Sequence, residues 1–423
     1  MIVLLFVIGV VAVILGLAAS IALHELGHLI PAKLFGVRVS QYMIGFGPTL
    51  VKIRRGETEY GIKAIPAGGY IAMAGMTPPV APLPEGVKPS LFRRIADRAR
   101  AAQSAEAKPG DEARSFWALP VHKRIVIMAG GPAMNLLIAV VLTGVLMVGI
   151  GTTRTTTTVG ANPGPGTPAA AAGLRTGDRV TAFDGTPVTS WAQLSSMIRA
   201  HDATPTSITV QRDGTQVDLT VTPQLKDVAV LDEAGKPAAR ADGTPVTTRA
   251  GQIGVAFARE RAPEPVTAVL PAVGETIVSI AGVVIALPVR LIQVATALVS
   301  PAPRDPNGPI GVLGVTRIAG EVAATDQIDR TSKAAGIIGI LASMNAALFV
   351  FNLIPLLPLD GGHIAGALWE GLRRRTAAMF GRADPGPVDA AKAMPLTYLV
   401  AGLMLCMSVL LLIADIVKPV RLF

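Results

Sequence analysis

Cysteine, aromatic residues and charge are all scarce in this chain of 423 residues. Its single cysteine, Cys406, excludes an intramolecular disulfide and any metal site of the CxxC type. Charged residues make up only 16% of the sequence and hydrophobic residues 51%, whereas soluble globular proteins usually carry about a quarter charged residues. The net charge is +9, but the sequence lacks the combined aromatic and basic platform of a nucleic-acid-binding protein. The composition therefore excludes an ordinary soluble enzyme and favours an integral membrane protein.

Four long runs without charged residues are each able to cross a bilayer, which requires about 20 apolar residues. These runs lie within 1–23, 125–153, 334–359 and 393–414. A fifth apolar stretch, 265–303, is interrupted by charged residues and prolines, and we expect it to lie on the membrane or to dip into it. The sequence thus predicts an α-helical polytopic membrane protein with four transmembrane helices.

The charges of the connecting segments predict how the chain is oriented. Residues 31–124 carry 15 Lys and Arg against 7 Asp and Glu, and residues 371–392 carry 5 against 2. Short basic loops stay in the cytoplasm, whereas large domains are translocated regardless of their charge. With four spans in the cell membrane, both basic segments lie on the cytoplasmic side together with the end of the first span. Both termini and residues 154–260 then lie outside the cytoplasm.

The soluble segments differ in composition. Residues 154–260 show strand patterns rich in Thr and Val, with turn signals at Asp184-Gly185 and Asp213-Gly214, which predicts a small β-rich domain. Residues 78–114 are rich in Pro, Ala and charge, which predicts a flexible insert. The alternation over 51–75 predicts a β-hairpin.

His24, Glu25 and His28 form an HExxH motif at the end of the first predicted span. Side chains at positions i and i+4 of a helix project from the same face, so both imidazoles can bind one metal ion. The intervening glutamate is placed to take a proton from the attacking water, and zinc suits two imidazoles with one oxygen ligand. The alternative interpretation is a pair of helix-end histidines near lipid headgroups. Ionisable residues that continue an apolar span are costly unless they face a protein interior or a water-filled cavity, which favours the metal site.

Asp360 is the candidate for the third ligand. It closes a charge-free run interrupted by Pro355 and Pro358, so it lies at a helix end near the membrane. An alternative role is to cap the segment that follows. With four spans, the third span runs toward the cytoplasm like the first and brings Asp360 to the depth of the two histidines. If 265–303 crossed the membrane, Asp360 would emerge at the opposite face.

The sequences HELGH at the end of the first span and NLIPLLPLDGGH at the end of a later one resemble the site-2 protease family of intramembrane zinc metalloproteases. Further matches are GFGP at 45–48, GETEY at 56–60, AGGY at 67–70, GGPAMN at 130–135 and GPI at 308–310. The resemblance covers nearly the whole chain except the insert at 78–114. It is closest to the actinobacterial members that have one PDZ domain and cleave anti-sigma factors.

The resemblance implies a role for each residue of the two main motifs. His24, His28 and Asp360 would bind Zn²⁺, and Glu25 would be the general base of an intramembrane endopeptidase. His363 matches the DGGH sequence of the family, which gives it no ligand role.

The resemblance also implies contacts with the substrate. Asn352 would form a hydrogen bond with the substrate backbone near the scissile bond. Three further positions, Gly45, Gly47 and Asn135, are candidates for substrate binding. For Asn135, a structural role that ties the spans together is the alternative.

Two β-segments acquire expected functions in the same way. The family places a membrane-dipping β-sheet at 51–75, whose strand edge would pair with an unwound substrate; the alternative is a plain cytoplasmic hairpin. Residues 167–180 resemble bacterial PDZ domains, whose groove binds peptide ends; the alternative is a packing module without a ligand.

The expected substrate is a single-span membrane protein, such as an anti-sigma factor, that a site-1-type protease has already trimmed. One alternative is the clearance of remnant signal peptides by the same chemistry, and another is a non-enzymatic membrane scaffold with a PDZ module. Transport is disfavoured because the sequence shows no internal repeat.

These inferences divide the chain into successive segments. They are the first span with HExxH (1–32), a cytoplasmic loop (33–124), the second span (125–153), a PDZ-like domain (154–260), an amphipathic or re-entrant segment (261–333), the third span with LDGGH (334–363), a cytoplasmic loop (364–392), the fourth span (393–417) and a short tail (418–423).

Overall fold

The computed structural model of the chain describes residues 1–78, 90, 93–98, 112–229, 246–301, 304–305 and 308–420. It divides into two compact units, one formed by Met1–Gly149 with Pro265–Phe423 and the other by Ile150–Glu264. Most of the flexible insert expected at 78–114 lies outside the described residues, and the tail expected at 418–423 is described as far as Val420.

The first unit is mainly helical, and the described residues of the second include two short helices. In chain order, the principal α-helices are α1 (Ile2–Leu34), α2 (Val121–Gly144), α3 (Pro168–Ala171), α4 (Trp191–Ala200), α5 (Val269–Ile285), α6 (Leu287–Val299), α7 (Val312–Ala324), α8 (Arg330–Asn352), α9 (Asp360–Met379) and α10 (Met394–Val417).

Five helices among the described residues are long and apolar enough to cross a membrane. They are Ile2–Leu34, Val121–Ile150, Val266–Ile285, Arg330–Asn352 and Ala390–Val417. Four of them overlap the four predicted runs. The fifth, Val266–Ile285, has 20 residues and a mean hydropathy of 2.0, and it lies in the stretch expected to rest on the membrane. The chain is therefore a multi-pass membrane protein, but helix length does not confirm the expected count of four spans.

Helices α1 and α2 approach each other across glycines. A Cβ atom on Gly130 would collide with the carbonyl oxygen of Gly27, and one on Gly27 with that of Gly130. Small residues allow membrane helices to pack this closely, because their association depends on van der Waals contact. His24 lies before Gly27 on α1, and it meets Asn135, which lies after Gly130 on α2. The two helices are therefore antiparallel.

Helices α1 and α8 run parallel. Gly16 packs against the side chain of Leu341, and one turn later Ser20 Oγ accepts a hydrogen bond of 2.9 Å from Asn345 Nδ2. Asn345 is only 1% exposed, and a polar contact of this kind fixes the register of two helices within an apolar environment. By this register, the carboxyl end of α8 at Asn352 lies level with the histidines of α1, and α1 continues for about two more turns.

The chain after α8 differs from the predicted third span, 334–363. Helix α8 already ends at Asn352, because Pro355 and Pro358 provide no backbone N–H and cannot continue a helix. The chain then begins α9 at Asp360. Within the segment expected as a loop, 364–392, the residues up to Met379 are helical.

A bent antiparallel sheet follows α1, formed by β1 (Val39–Arg55) and β2 (Thr58–Met73). Met43 on β1 lies opposite Tyr70 on one side and Gly61 on the other, while Val51 lies opposite Ile62. Across the sheet, the segments therefore follow the order 69–73, 39–46, 58–63 and 49–55. The sheet begins at Val39, ahead of the predicted hairpin at 51–75.

The second unit contains the remaining strands. They are β3 (Thr152–Val159), β4 (Arg179–Phe183), β5 (Thr186–Pro187), β6 (Thr206–Arg212), β7 (Thr215–Val221), β8 (Gln224–Ala229), β9 (Thr247–Gln252) and β10 (Phe257–Ala262). The main sheet has the order β10-β3-β4-β6-β7 with β5 beside β4, and β8 and β9 form a separate hairpin. Phe183, Leu194 and Ile208 are fully buried in its core.

A buried ion pair joins two parts of the second unit. Asp178 Oδ1 lies 2.7 Å from Arg212 Nε, and its Oδ2 accepts a hydrogen bond from the backbone of Arg175. The hydrogen bonds from Arg212 hold the pKa of the Asp178 carboxyl below its ordinary value. The pair therefore stabilises the folded unit at neutral pH, and this contribution is lost as the pH falls through that lowered pKa.

The glycine contact between α1 and α2 predicts a position-specific effect of one methyl group. We expect Gly130→Ala to lower the free energy of unfolding by about 1–3 kcal/mol, since overpacking a close contact costs about this much. Gly144→Ala on the same helix is the matched control, because its Cβ would have Val269 as its nearest neighbour at 4.0 Å. Thermal unfolding in detergent measures both. Equal midpoints for the two variants would contradict the contact.

Candidate metal centre

Three side-chain atoms converge where α1 meets the start of α9. His24 Nε2 and His28 Nε2 are 3.2 Å apart, and they lie 3.4 and 3.3 Å from Asp360 Oδ2. A tetrahedral zinc ion with bonds of about 2.0–2.2 Å separates its ligand atoms by about 3.3–3.6 Å. The three atoms therefore have the spacing of one face of a zinc tetrahedron. Asp360 Oδ2 is buried without a hydrogen-bond donor in the described part of the chain, as expected of an atom that binds a metal.

Local structure explains this convergence. The two histidines are one turn apart on the uninterrupted helix α1, so their rings leave the same face. Asp360 is the first residue of α9, and the proline-containing loop after α8 carries it back toward α1. The helix end that delivers the carboxylate is therefore a loop-to-helix junction, and not the end of a span.

Helix α2 orients His28 and leaves room for both imidazoles. His28 Nδ1 lies 2.8 Å from the carbonyl oxygen of Ile127, so the ring donates its Nδ1 proton there and keeps the Nε2 lone pair for a metal. A Cβ atom on Gly131 would overlap His28 Nε2 and lie 2.7 Å from His24 Cε1. Any larger residue at this position would displace the ligand atoms.

Asn135 lies behind His24. It is fully buried, and its Nδ2 atom is 3.0 Å from His24 Nδ1, while its Oδ1 atom has no hydrogen-bond partner among the described residues. If Nε2 of His24 faces the metal, Nδ1 carries the proton and requires an acceptor. A half-turn of the amide places Oδ1 opposite Nδ1 and satisfies both groups without any change in shape. Asn135 can therefore orient His24 as Ile127 orients His28.

The three atoms open into a cleft of about 320 Å³. Its lining comprises His24, Glu25, His28, Gly69, Tyr70, Ile71, Met73, Met76, Met128, Asn352, Pro358, Asp360 and His363. Glu25 faces the strand segment 69–73, since a Cβ atom on Gly69 would lie 2.9 Å from Glu25 Cγ. No other strand of the described residues pairs with the outer side of this segment. The cleft therefore has an ionisable group beside the candidate ligands and a free strand edge along one wall.

Only some of the predicted site residues lie in the cleft. Glu25 and Asn352 lie in the cleft with the three candidate ligands. Gly45 and Gly47 do not line it; they have φ angles of +91° and +85° at irregularities of the β1–β2 pairing. Their positive φ favours glycine and lets the strand bend.

Several residues of the site carried no recognised signal in the sequence. The backbone of Ile127 and the side chains of Met73, Met76 and Met128 belong to it. Methionines adapt to varied apolar partners, but their spacing along the chain predicts nothing about a shared wall. The pair of glycines at 130–131 is the one pattern that could have indicated close helix contact.

Comparison with known proteins agrees with this geometry. Residues 12–382 match Peptidase family M50. The chain is 33% identical over 444 residues to "Zinc metalloprotease Rip1" of Mycobacterium tuberculosis, covering 99% of this chain and 100% of that protein. It is 29% identical to "Metalloprotease MmpA" of Caulobacter vibrioides (88% of each chain) and 25% identical to "Regulator of sigma-W protease RasP" of Bacillus subtilis (87% of this chain, 91% of that one).

The chain belongs to peptidase family M50, which is the site-2 protease family that its motifs resemble. It is a multi-pass membrane enzyme, a zinc-dependent metalloprotease of regulated intramembrane proteolysis. The donor set of two imidazoles and one carboxylate fits this metal.

The contact behind His24 predicts opposite results for two substitutions of Asn135. Asn135→Asp keeps an acceptor for the Nδ1 proton, and we expect zinc affinity within a few-fold of the wild type. Asn135→Leu removes the acceptor, and we expect a loss of about 10–100-fold, the usual effect of removing an outer partner of a ligand. Competition with a chelator measures both affinities. If Asp weakened zinc binding as much as Leu, the amide would be donating to the ring instead.

Proposed function

We propose that the chain cleaves a single-span membrane protein within or near its transmembrane helix, with zinc held by His24, His28 and Asp360. The observation that carries this proposal is the triangle of ligand atoms, 3.2–3.4 Å on each side. Glu25 lines the same cleft, in a protein whose principal helices suit a bilayer.

The proposed roles follow from position. Zinc, when bound, polarises the scissile carbonyl and makes water a stronger acid. Glu25 takes the proton of the attacking water on a carboxylate oxygen and then passes it to the leaving amine. Asn352 lines the cleft at the end of α8, from where its amide can bind the substrate backbone. Asn135 is fully buried and is proposed to orient His24 rather than to touch substrate.

The free edge of 69–73 supplies what an unwinding substrate requires. The amides of a transmembrane helix bond to one another, so the helix has to open before hydrolysis, and each freed group is costly in an apolar environment. An exposed strand edge offers those groups new partners by strand addition. Because Gly69 adjoins Glu25, a substrate strand on this edge would pass the catalytic base. Gly45 and Gly47 support this role indirectly, by bending β1.

The proposed topology has four crossings, with the metal centre on the cytoplasmic side. Its support is the parallel arrangement of α1 and α8, with the antiparallel α2 between them in sequence. Given this arrangement, the segment 265–329 returns to the side of the membrane from which it starts. Helix α5 therefore dips into the membrane or lies along it. Basic residues then concentrate in the cytoplasmic segments, and the second unit and both termini lie outside.

We propose that the second unit is a PDZ-like domain with a functional groove. A cavity of about 270 Å³ lies between α4 and the chain around β9 and β10. Apolar side chains such as Trp191, Ile198 and Phe257 line it beside Arg199. This combination suits the carboxyl end of a peptide, such as one exposed by a site-1-type protease.

An anti-sigma factor is the proposed substrate. The name of the Bacillus relative connects that protein with regulation of a sigma factor. Clearance of remnant signal peptides is the enzymatic alternative. The scaffold alternative is disfavoured because the chain belongs to a peptidase family.

Substitutions at the metal centre separate zinc binding from catalysis. We expect Glu25→Gln to retain zinc and to reduce cleavage of a reporter by at least about 100-fold, within the usual range of about 10²–10⁴ for a general acid–base group. His24→Ala, His28→Ala and Asp360→Ala should lose both zinc and activity. His122→Ala and His201→Ala are matched controls that remove an imidazole outside the cleft. Normal cleavage by Glu25→Gln would refute the mechanism.

The substrate can be trapped at the strand edge. In the Glu25→Gln chain, a photo-cross-linking residue in place of Tyr70 should capture a single-span fragment from native membranes. The same residue in place of Ile53, on the opposite edge of the sheet, is the control and should capture none. Mass spectrometry of the adduct distinguishes an anti-sigma factor from a signal peptide. Equal capture at both positions would contradict strand addition at 69–73.

A further inference from the structure

Helix α9 has its large apolar side chains on the outside. The exposed fractions are 57% for Leu368, 56% for Trp369, 54% for Leu372, 80% for Met379 and 73% for Phe380 at the helix end. By contrast, the side facing the protein carries Ala367 and Glu370, which are 6% and 0% exposed. A helix of a soluble surface has the reverse arrangement.

The exposed apolar residues form one stripe. At about 100° per residue, Leu368, Leu372 and Met379 project within a narrow sector, and Trp369 and Phe380 lie directly beside it. On the same projection, Arg373 and Arg375 fall on opposite flanks of the stripe. Arg382 follows the helix, with its guanidinium 5.9 Å from the Phe380 ring. An apolar stripe flanked by arginines and containing Trp and Phe is the pattern of a helix that lies in a membrane interface.

The rotation of α9 is fixed from its inner side. The carboxylate of Glu370 pairs with Arg124 of α2 and with Arg374 at 3.2 Å, and it accepts a hydrogen bond of 2.9 Å from the backbone of Val388. The helix cannot turn its apolar stripe inward without breaking this buried network, and unpaired buried charges are costly. The stripe is thus held away from the protein.

Chain connectivity brings α9 close to the bilayer. Candidate spans precede and follow it, ending at Asn352 and beginning at Ala390, but α9 itself is not among the candidate spans. The segment 371–392 has five basic and two acidic residues. This excess of positive charge complements an anionic lipid surface, and arginines near such a surface each contribute to attachment.

We propose that α9 docks on anionic lipid, with its apolar stripe among the upper acyl chains and Arg375 and Arg382 at the headgroups. Because Asp360 is the first residue of α9, docking of this helix on lipid adds to the contacts that hold that carboxylate beside the histidines of α1. Membrane composition would then regulate the assembly of the metal centre. The lipid docking itself does not depend on which substrate the enzyme cleaves.

Trp369 provides a direct probe of this docking. The chain has three tryptophans, so Trp117→Phe with Trp191→Phe leaves Trp369 as the only one. This chain is reconstituted in phosphatidylcholine vesicles with or without phosphatidylglycerol. Quenching is then measured with lipids brominated near the headgroup, with lipids brominated near the chain end, and with aqueous iodide. We expect the headgroup-proximal bromines to quench most strongly and iodide to quench weakly.

Arginine substitutions test the lipid specificity. Each arginine should shift the equilibrium constant for docking about fivefold in the presence of phosphatidylglycerol, so Arg375→Gln with Arg382→Gln should strongly reduce the effect of that lipid on quenching. The matched control, Arg179→Gln with Arg249→Gln, removes two exposed charges from the second unit and should leave it unchanged. Zinc affinity should rise with phosphatidylglycerol in the wild type and not in the α9 double variant.

Three results would overturn the proposal. Strong quenching by iodide without quenching by either bromolipid would place the stripe in water. Quenching that changes with the protein-to-lipid ratio would assign the stripe to contact with a second copy of the chain. Equal behaviour of the two double variants would exclude a role for the α9 arginines. None of these measurements requires cleavage of a substrate, so they stand apart from the proposed function.

Discussion

The contact of α1 with α2 is the constraint on which the rest of the metal centre depends. Gly27 and Gly130 bring the two backbones together, and this closeness places the carbonyl of Ile127 within 2.8 Å of His28. Gly131 then leaves the space that both imidazoles need. One helix presents the two candidate ligands and the other orients them, so the rings can be held without water in an apolar environment.

The third candidate ligand reaches this site through long-range packing. Helix α8 lies parallel to α1 and is held in register where Asn345 meets Ser20. The proline-containing loop returns the chain, and α9 begins with the carboxylate of Asp360. The ion pair between Glu370 and Arg124 joins α9 to α2. The four helices around the site are therefore connected to one another. Helix α1 contacts α2 and α8, the proline-containing loop joins α8 to α9, and α9 contacts α2.

This arrangement reconciles hydrolysis with a membrane location. The candidate ligands and Glu25 line one cleft, so in the proposed mechanism water and substrate meet in a protein-lined space and not in lipid. The strand edge at 69–73 forms a wall of that cleft and can satisfy the amides of an opened helix. The proposed docking of α9 serves the same purpose, because its outward apolar stripe contacts lipid beside the site while its inner side packs on the protein.

Local sequence patterns determined much of this protein. Each of these patterns lies within one segment of the chain, so it could be recognised without a structure. They are the four-residue spacing of His24 and His28, the long uncharged runs and the basic loops. They were sufficient to predict a helical membrane protein with a metal site and to single out Asp360. The confirmed membership of a zinc metalloprotease family agrees with that prediction.

Tertiary structure decided what depends on residues far apart in the chain. Three features differ from what the sequence predicted. They are the end of α8 at Asn352, the start of the sheet at Val39 and the location of Gly45 outside the cleft. The partnership of Asn135 with His24 joins residues 111 positions apart. Such pairs of distant residues set the packing of helices and the register of strands. A pair stabilises the fold only when both residues are in place, so the periodicity within one segment cannot predict it.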